Sequence, residues 1–139
     1  MNKSLAFTYG LVKQAHHQKK VYCEVKNSKQ TILYLRALRE NSMIYGYSIL
    51  PKTNKIFVYL RYYRNRPIIK DIRLYSKPGH KRYLNRYNSF KITKIINPSN
   101  VLLVGTSKTS TLEQLFISKY DKQYQLGNKH FGELLSMIW

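Results

Sequence analysis

The apolar residues of this chain occur in short runs, which restricts the elements that it can form. The longest runs, such as Ile56–Leu60 and Val101–Val104, have the length of a β-strand. They fall far below the roughly 18 residues of a membrane-spanning helix. In the first run the apolar residues Ile56, Val58 and Leu60 alternate with Phe57 and Tyr59. This alternation predicts a strand with its apolar side chains in the core.

Two helices are predicted before this strand. The first has apolar positions at helical spacing, which are Leu5, Thr8, Tyr9, Val12 and Ala15. Ser4 precedes them as a candidate N-cap. The pattern leaves a mainly basic group exposed, comprising Lys13, His16, His17, Lys19 and Lys20. Ser28 caps the second helix, whose buried face should include Thr31, Leu35 and Leu38.

Short strands complete the first half of the chain. Val21–Val25 alternates briefly, and Ile44–Leu50 and Lys55–Tyr62 form a hairpin around the turn Pro51-Lys52-Thr53-Asn54. The order helix–strand–helix–strand–strand indicates an N-terminal α/β layer. Because Pro67 interrupts any strand that runs through it, we place the end of this half at residue 66.

Residues 67–139 are predicted to form a mostly β half with short helices. Its expected elements are a strand at Ile68–Tyr75, a turn at Ser76–Gly79, a helical or irregular stretch at Asn88–Ile96, a buried strand at Val101–Val104, a helix within Thr109–Tyr120 and a last strand at Leu134–Trp139. The sequence therefore predicts an α+β fold made of two small packed halves.

Charge restricts the function of the chain. There are 25 Lys and Arg against 6 Asp and Glu, a formal net charge of +19. A compact protein with this charge repels itself unless it lies beside a polyanion, and nucleic acid is the leading candidate. Between Lys52 and Lys94 the basic residues are interleaved with tyrosines. Lys and Arg neutralise phosphates and tyrosines can stack on bases, although filling the core is the commoner role for any single tyrosine.

The residues needed for catalysis or metal binding are sparse. The acids occur singly on different elements, and they are Glu24, Glu40, Asp71, Glu113, Asp121 and Glu133. A two-metal nuclease site needs several converging carboxylates. His16, His17 and the single cysteine, Cys23, lack the spacing of a zinc site. We therefore expect no catalytic residue, no metal and no cofactor, with Cys23 acting as a small buried apolar residue.

A polar turn, Gly105–Ser110, follows the apolar strand Val101–Val104. Its short hydroxyl side chains beside Lys108 can approach phosphates, riboses or base edges closely. The same residues could instead form a helix N-cap ahead of Leu112. Taken alone, the turn slightly favours the cap.

The order of the motifs resembles the small-subunit ribosomal protein of the universal S-eight family, in its bacterial and organellar form. That family shows Ser-Arg-Pro-Gly, Arg-x-Tyr, an apolar strand leading into Ser-Thr-Ser-x-Gly, then Gly-Glu-Ile and a C-terminal aromatic residue. The corresponding segments here are Ser76-Lys77-Pro78-Gly79, Lys81-Arg82-Tyr83, Val101–Lys108, Gly132-Glu133-Leu134-Leu135 and Trp139. Asn27-Ser28-Lys29 and Met43–Tyr47 extend the resemblance to the first half.

The resemblance implies a two-half α+β fold bound to the central domain of small-subunit rRNA. The hydroxyl loop of the family falls on Gly105–Thr109, where Gly105 lacks the first hydroxyl and Thr109 replaces the glycine. Glu133 corresponds to a glutamate beside the loop, an acceptor that orients RNA or loop groups. The RNA-binding residues implied are Thr106, Ser107, Lys108, Tyr83, Lys77, Arg82, Lys81, Lys29 and Glu133.

The expected function is that of a structural constituent of the small ribosomal subunit that organises rRNA in assembly and translation. Its partners would be small-subunit rRNA and neighbouring ribosomal proteins, with no small-molecule substrate and no membrane span. The stretch Phe116–Phe131 is longer than the family usually shows, and we expect it to meet a neighbouring protein or a local rRNA variation. A free-standing RNA- or DNA-binding regulator and a small RNA-processing nuclease are the alternatives.

Composition also bears on the origin of the chain. It is rich in Lys, Ile, Asn and Tyr but has only three alanines, Ala6, Ala15 and Ala37, as AT-rich codons would produce. This favours a mitochondrial genome and a mitochondrial ribosome, or otherwise an AT-rich bacterium or a plastid. Since the N-terminus shows neither a signal-peptide core nor an Arg- and Ser-rich leader, we expect synthesis within the organelle or prior removal of a leader.

Overall fold

A computed structural model describes residues 3–84, 101–105, 109–111 and 132–139. The elements of the earlier part of the chain are α1 Lys3–His17, β1 Tyr22–Lys26, α2 Lys29–Glu40, β2 Ile44–Leu50, β3 Lys55–Leu60, β4 Tyr62–Tyr63 and β5 Arg66–Pro67. Those of the later part are β6 Ile72–Leu74, β7 Tyr83–Leu84, β8 Val101–Gly105, β9 Thr109–Thr111 and β10 Gly132–Ile138. This mixture of N-terminal helices and antiparallel sheets confirms the α+β prediction.

The chain divides into two compact units at Ile72–Arg73, whereas the sequence placed the division at residues 66–67. The first unit also includes Trp139. The Trp139 backbone accepts a hydrogen bond from Lys70 N–H at 2.6 Å and donates one to the Asp71 carbonyl at 3.2 Å. These long-range bonds place residues 67–72 in the first unit.

The first unit is built around a three-stranded sheet in the order β1–β3–β2, with β3 antiparallel to both neighbours. The alternation predicted for β3 is confirmed, because Ile56, Val58 and Leu60 are buried. α1 contacts β1 and α2 contacts β2. The helices contribute further buried side chains to this core, among them Val12, Tyr34, Leu35 and Leu38.

The buried face of α1 agrees with the prediction at all five positions, but two other assignments on this helix were wrong. α1 begins at Lys3, so Ser4 lies inside the helix, where its carbonyl accepts a hydrogen bond from Thr8 Oγ1 at 2.9 Å. His16 was predicted to be exposed, yet only 2% of it is accessible. It lies four residues after Val12 and therefore continues the buried stripe. Its Nδ1 is 3.0 Å from the Val12 carbonyl oxygen.

The second helix begins as predicted. The Ser28 side chain accepts a hydrogen bond from the Thr31 N–H at 3.1 Å, which satisfies one of the free donors of the first turn. Thr31, Leu35 and Leu38 are all buried. β1 begins one residue later than predicted, and the hairpin strand predicted to reach Tyr62 ends at Leu60. Tyr62 instead starts the separate β4–β5 hairpin.

The second unit contains a five-stranded sheet in the order β6–β10–β8–β9, with β7 also paired to β10. The strand predicted at Ile68–Tyr75 is shorter than expected, since β6 covers only Ile72–Leu74. The helix predicted to begin at Thr109 was wrong at its start, because Thr109–Thr111 pairs with β8. The predictions for Asn88–Ile96, Leu112–Tyr120 and Phe116–Phe131 lie outside the described residues. No helix in the described part of the chain has the length and apolarity to cross a membrane.

The core of the first unit gives a stability prediction. Ile49 and Ile56 are register partners on β2 and β3, but Ile56 is fully buried whereas Ile49 is 46% exposed. Ile56→Ala should lower the free energy of unfolding by about 2–5 kcal/mol, and Ile49→Ala by less than about half as much. Urea denaturation of the two variants measures this difference. Equal losses would contradict the assignment of Ile56 to the core.

The burial of His16 predicts a loss of stability in acid. Desolvation lowers the pKa of His16 from its ordinary 6.5, outweighing the opposing effect of the Val12 carbonyl. The unfolded chain therefore binds a proton at a higher pH than the folded one. The free energy of unfolding should fall as the pH drops below about 6.5. His16→Leu should remove this component of the pH dependence, while His17→Leu should keep it; identical denaturation profiles of the two variants between pH 7.5 and 5.5 would refute it.

Candidate nucleic-acid interface

The sheet of the second unit aligns residues from four strands in one row. Tyr83 of β7 pairs with Glu133 of β10, Glu133 also pairs with Gly105 of β8, and Gly105 pairs with Thr109 of β9. Neighbouring strands lie about 4.8 Å apart, so the row is about 14 Å across. Backbone pairing thus brings together residues that are far apart in the sequence and that the sequence analysis assigned to RNA binding.

The loop Thr106–Lys108 joins two ends of this row. Thr106, Ser107 and Lys108 themselves lie outside the described residues, but Gly105 and Thr109 on either side of them form a register pair. The three residues therefore connect two antiparallel strands as a hairpin loop. The sequence could not distinguish this arrangement from a helix cap, because the pairing of Thr109–Thr111 with β8 is a tertiary contact.

A buried hydroxyl fixes the segment that leads to Tyr83. Ser76 Oγ donates a hydrogen bond to the Leu134 carbonyl at 2.6 Å and accepts one from the Arg82 N–H at 2.9 Å. The Arg82 carbonyl in turn accepts a hydrogen bond from Leu134 N–H at 2.8 Å. Ser76 thereby holds the backbone of Arg82 beside β10. The sequence analysis treated Ser76 only as a turn residue, although its place before Pro-Gly in the motif was the available signal.

The turn after Ser76 displays lysines. Pro78 and Gly79 occupy its centre, Gly79 has a φ of +86°, and His80 N–H donates to the Lys77 carbonyl at 2.9 Å. A proline followed by a glycine with positive φ is the pattern of a type II turn. Lys77 and Lys81 on either side are exposed. The turn therefore presents ammonium groups to solvent close in sequence to Arg82 and Tyr83.

The electrostatics of the second unit favour an anion. Its described residues include four Lys and Arg but a single acid, Glu133; the basic ones are Arg73, Lys77, Lys81 and Arg82, all exposed. Tyr83 is about half exposed. In the part of the chain that the structure describes, no group of three or more His, Cys, Asp or Glu could hold a metal ion.

Lys29 and Cys23 belong to the first unit. Lys29 is the exposed first residue of α2, so the structure does not place it in the row that contains Tyr83 and Glu133. Cys23 is a buried free thiol on β1, and burial raises its pKa to about 11. This agrees with the expected role of Cys23 as a small apolar residue, because the thiol stays protonated at neutral pH.

Comparison with known proteins identifies the family. The family model for ribosomal protein S8 matches residues 5–139. The chain belongs to this family. The S8 relatives include the small ribosomal subunit protein uS8 of Chromobacterium violaceum, which is 30% identical over 70% of this chain and 73% of its own length. The uS8 of Idiomarina loihiensis is 27% identical over 95% of this chain and 96% of its own.

An organellar relative is similar over the whole chain. The small ribosomal subunit protein uS8c of Gracilaria tenuistipitata var. liui is 25% identical over 100% of this chain and 99% of its own length. The resemblance drawn from the motifs is therefore confirmed, with both bacterial and organellar relatives of S8.

Packing accounts for one departure from the S8 loop pattern. A Cβ atom added at Gly105 would lie 3.3 Å from Leu135 Cδ1, closer than ordinary van der Waals contact. Leu135 is the extra residue of a β-bulge, since Leu134 pairs with Val104 and Ser136 pairs with Leu103. The bulged leucine occupies the space that the first serine of the S8 pattern would need. Gly105 therefore fits this chain where a serine would displace Leu135.

The buried hydroxyl of Ser76 gives a prediction with an internal control. Ser76→Ala should leave the Arg82 N–H and the Leu134 carbonyl without this partner, and should lower the free energy of unfolding by about 1–3 kcal/mol. Ser136 is also fully buried, but among the described residues its hydroxyl has no hydrogen-bond partner. Ser136→Ala should therefore be neutral or stabilising. Chemical denaturation compares them, and equal destabilisation would contradict the role of Ser76.

Proposed function

We propose that this S8-family chain is a structural constituent of the small ribosomal subunit that binds the central domain of small-subunit rRNA during assembly and translation. The observation that carries the proposal is the paired row formed by Tyr83, Glu133, Gly105 and Thr109. It gives the Thr106–Lys108 loop a fixed base. The loop can then meet an irregular RNA helix with little further ordering on binding.

The basic side chains and the loop would contribute differently to binding. Contacts of Lys77, Lys81 and Arg82 with phosphates would give affinity that weakens with salt, because neutralised phosphates release counterions. Phosphate contacts carry little sequence information. Specificity would therefore come from the hydroxyls of Thr106 and Ser107, which can approach riboses and base edges in an irregular helix.

Tyr83 and Glu133 would act as neighbours of the loop. Their register pairing places a phenol and a carboxylate on adjacent strands. A tyrosine in this position can stack on a base or hydrogen-bond to a ribose. A carboxylate is an acceptor that can orient RNA hydroxyl or amino groups, or N–H groups of the loop. Lys29, on the other unit, would contact RNA phosphates separately.

A structural role rather than catalysis is also part of the proposal. The chain belongs to a family of ribosomal proteins, and the described acids contact lysine or arginine rather than each other in the pairs Lys13–Asp71, Arg36–Glu40 and Lys55–Glu24. We therefore propose neighbouring small-subunit proteins and rRNA as its partners, with Phe116–Phe131 meeting one of them. A free-standing regulator would differ by sedimenting away from small subunits at moderate salt.

We further propose that the ribosome in question is mitochondrial. The support is compositional, namely the abundance of Lys, Ile, Asn and Tyr with only three alanines. The relatives are bacterial and organellar, which fits a ribosome of bacterial type. The location and base composition of the coding gene decide between a mitochondrial genome, a plastid genome and an AT-rich bacterium.

The loop provides the direct test of RNA recognition. Thr106→Ala with Ser107→Ala should weaken binding to a central-domain rRNA fragment about tenfold, because two hydroxyl hydrogen bonds contribute about 0.5–1.5 kcal/mol each. Lys20→Ala with Lys52→Ala removes two exposed charges of the first unit and should weaken binding less at matched salt. Filter binding or anisotropy measures both. Equal losses would show that the loop has no special role.

A further inference from the structure

The β4–β5 hairpin of the first unit presents aromatic and basic side chains that the proposed role of the second unit does not use. Tyr62 pairs with Pro67 and Tyr63 pairs with Arg66, so that Arg64 and Asn65 form a two-residue loop. Both loop residues have positive φ, 48° and 61°. Two successive residues with positive φ are typical of a type I′ turn, which matches the twist of a hairpin.

The base of this hairpin is held by the rest of the first unit. The Ile68 N–H donates to the Arg61 carbonyl at 3.1 Å, and the Tyr62 hydroxyl donates to the Lys20 carbonyl at 2.5 Å. Ile69, immediately after the hairpin, is buried. The tip from Tyr63 to Arg66 is exposed by contrast. It is therefore a projecting element on an anchored base.

Arg64 occupies a position that its backbone does not favour. Type I′ turns prefer Asn, Asp or Gly at both central residues, because a Cβ atom disfavours positive φ. Asn65 fits this preference, whereas Arg64, with φ 48°, does not. An unfavourable conformation retained at an exposed tip is a reason to look for a role of its side chain.

The side chains of the tip form a basic groove with an aromatic wall. The groove has a volume of about 520 Å³ and is lined by Tyr63, Arg64, Arg66, Pro67, Ile68 and Lys70. The Arg64 guanidinium lies 5.3 Å from the centre of the Tyr63 ring, and Tyr63 is 63% exposed. Within the described ranges no carboxylate pairs with Arg64, Arg66 or Lys70, and neighbouring Asp71 pairs with Lys13 at 2.6 Å.

We propose that this groove binds an unpaired stretch of RNA, with one base stacked on Tyr63 and the adjoining phosphates held by Arg64, Arg66 and Lys70. An exposed ring beside cations is the combination that binds single strands, because every base has a π-face and every linkage a phosphate. A duplex buries the faces of its bases, so it offers nothing to the ring. The proposal depends on the proposed rRNA-binding function only in taking RNA as the polymer.

The stacking step is tested with the full chain and a fluorescein-labelled decauridine, followed by anisotropy at constant salt. Tyr63→Ala should weaken binding about tenfold, since stacking on an aromatic residue supplies this much or more per base. Tyr63→Phe should bind like the unmodified protein, because the ring is kept. Phe7→Ala is the matched control, since Phe7 on α1 is similarly exposed, at 67%, and its loss should leave binding unchanged.

The phosphate contacts are tested by salt dependence. Arg64→Gly with Arg66→Gln keeps the turn, because glycine accepts the positive φ of residue 64. This variant should reduce the slope of log affinity against log salt by about 1.4, since each phosphate contact on a single strand contributes about 0.7. Arg39→Gln with Lys52→Gln removes the same charge from α2 and the β2–β3 turn, and should change the slope less. Tyr63→Ala should leave the slope unchanged.

Several outcomes would overturn the proposal. They are an absence of decauridine binding, equal affinities of Tyr63→Ala and Phe7→Ala, equal slopes for the two charge variants, and equally effective competition by duplex RNA or by polyglutamate. Thr106→Ala with Ser107→Ala should bind decauridine normally. Loss of rRNA-fragment binding in that variant alone would support the function proposed for the loop while leaving the hairpin to be judged on its own results.

Discussion

The candidate site depends on the pairing of strand β10 with β7 and β8. Glu133 lies between Tyr83 and Gly105 only because β10 is hydrogen-bonded to strands from two distant parts of the sequence. The bonds of Leu134 and Ser76 to Arg82 extend this arrangement to the basic segment before Tyr83. The C-terminal strand is therefore the element that converts separate motifs into one surface.

The bulge in β10 adjusts this surface. Leu134, Leu135 and Ser136 are all buried, which a regular strand with one covered face would not allow. The extra residue lets Leu135 lie over Gly105, while its carbonyl accepts a hydrogen bond from Tyr75 N–H at 3.0 Å. A bulge beside a functional loop changes the direction of the strand locally. The loop sequence and the bulge therefore depend on each other, and Gly105 is the residue at which they meet.

Local patterns predicted much of the first unit, because its elements are defined by neighbours in sequence. The alternation of Ile56, Val58 and Leu60, the cap at Ser28 and the helical stripe from Leu5 to Ala15 agree with the structure. The errors arose where tertiary contacts decide. Trp139 pairs with residues 70–71 and so shortens the strand predicted at Ile68, and β8 draws Thr109–Thr111 into a strand. The site residues were found from the order of the family motifs, since no local pattern predicts that Tyr83 pairs with Glu133.

Crosslinking of the protein to RNA in intact small subunits tests the central claim most directly. Ultraviolet irradiation followed by mass spectrometry identifies the peptides attached to rRNA. The account predicts crosslinks in the segments 76–83 and 104–111, which flank the Glu133 position of β10, to nucleotides of the central domain. Crosslinks confined to the helices α1 and α2, or an absence of the protein from small subunits, would contradict it.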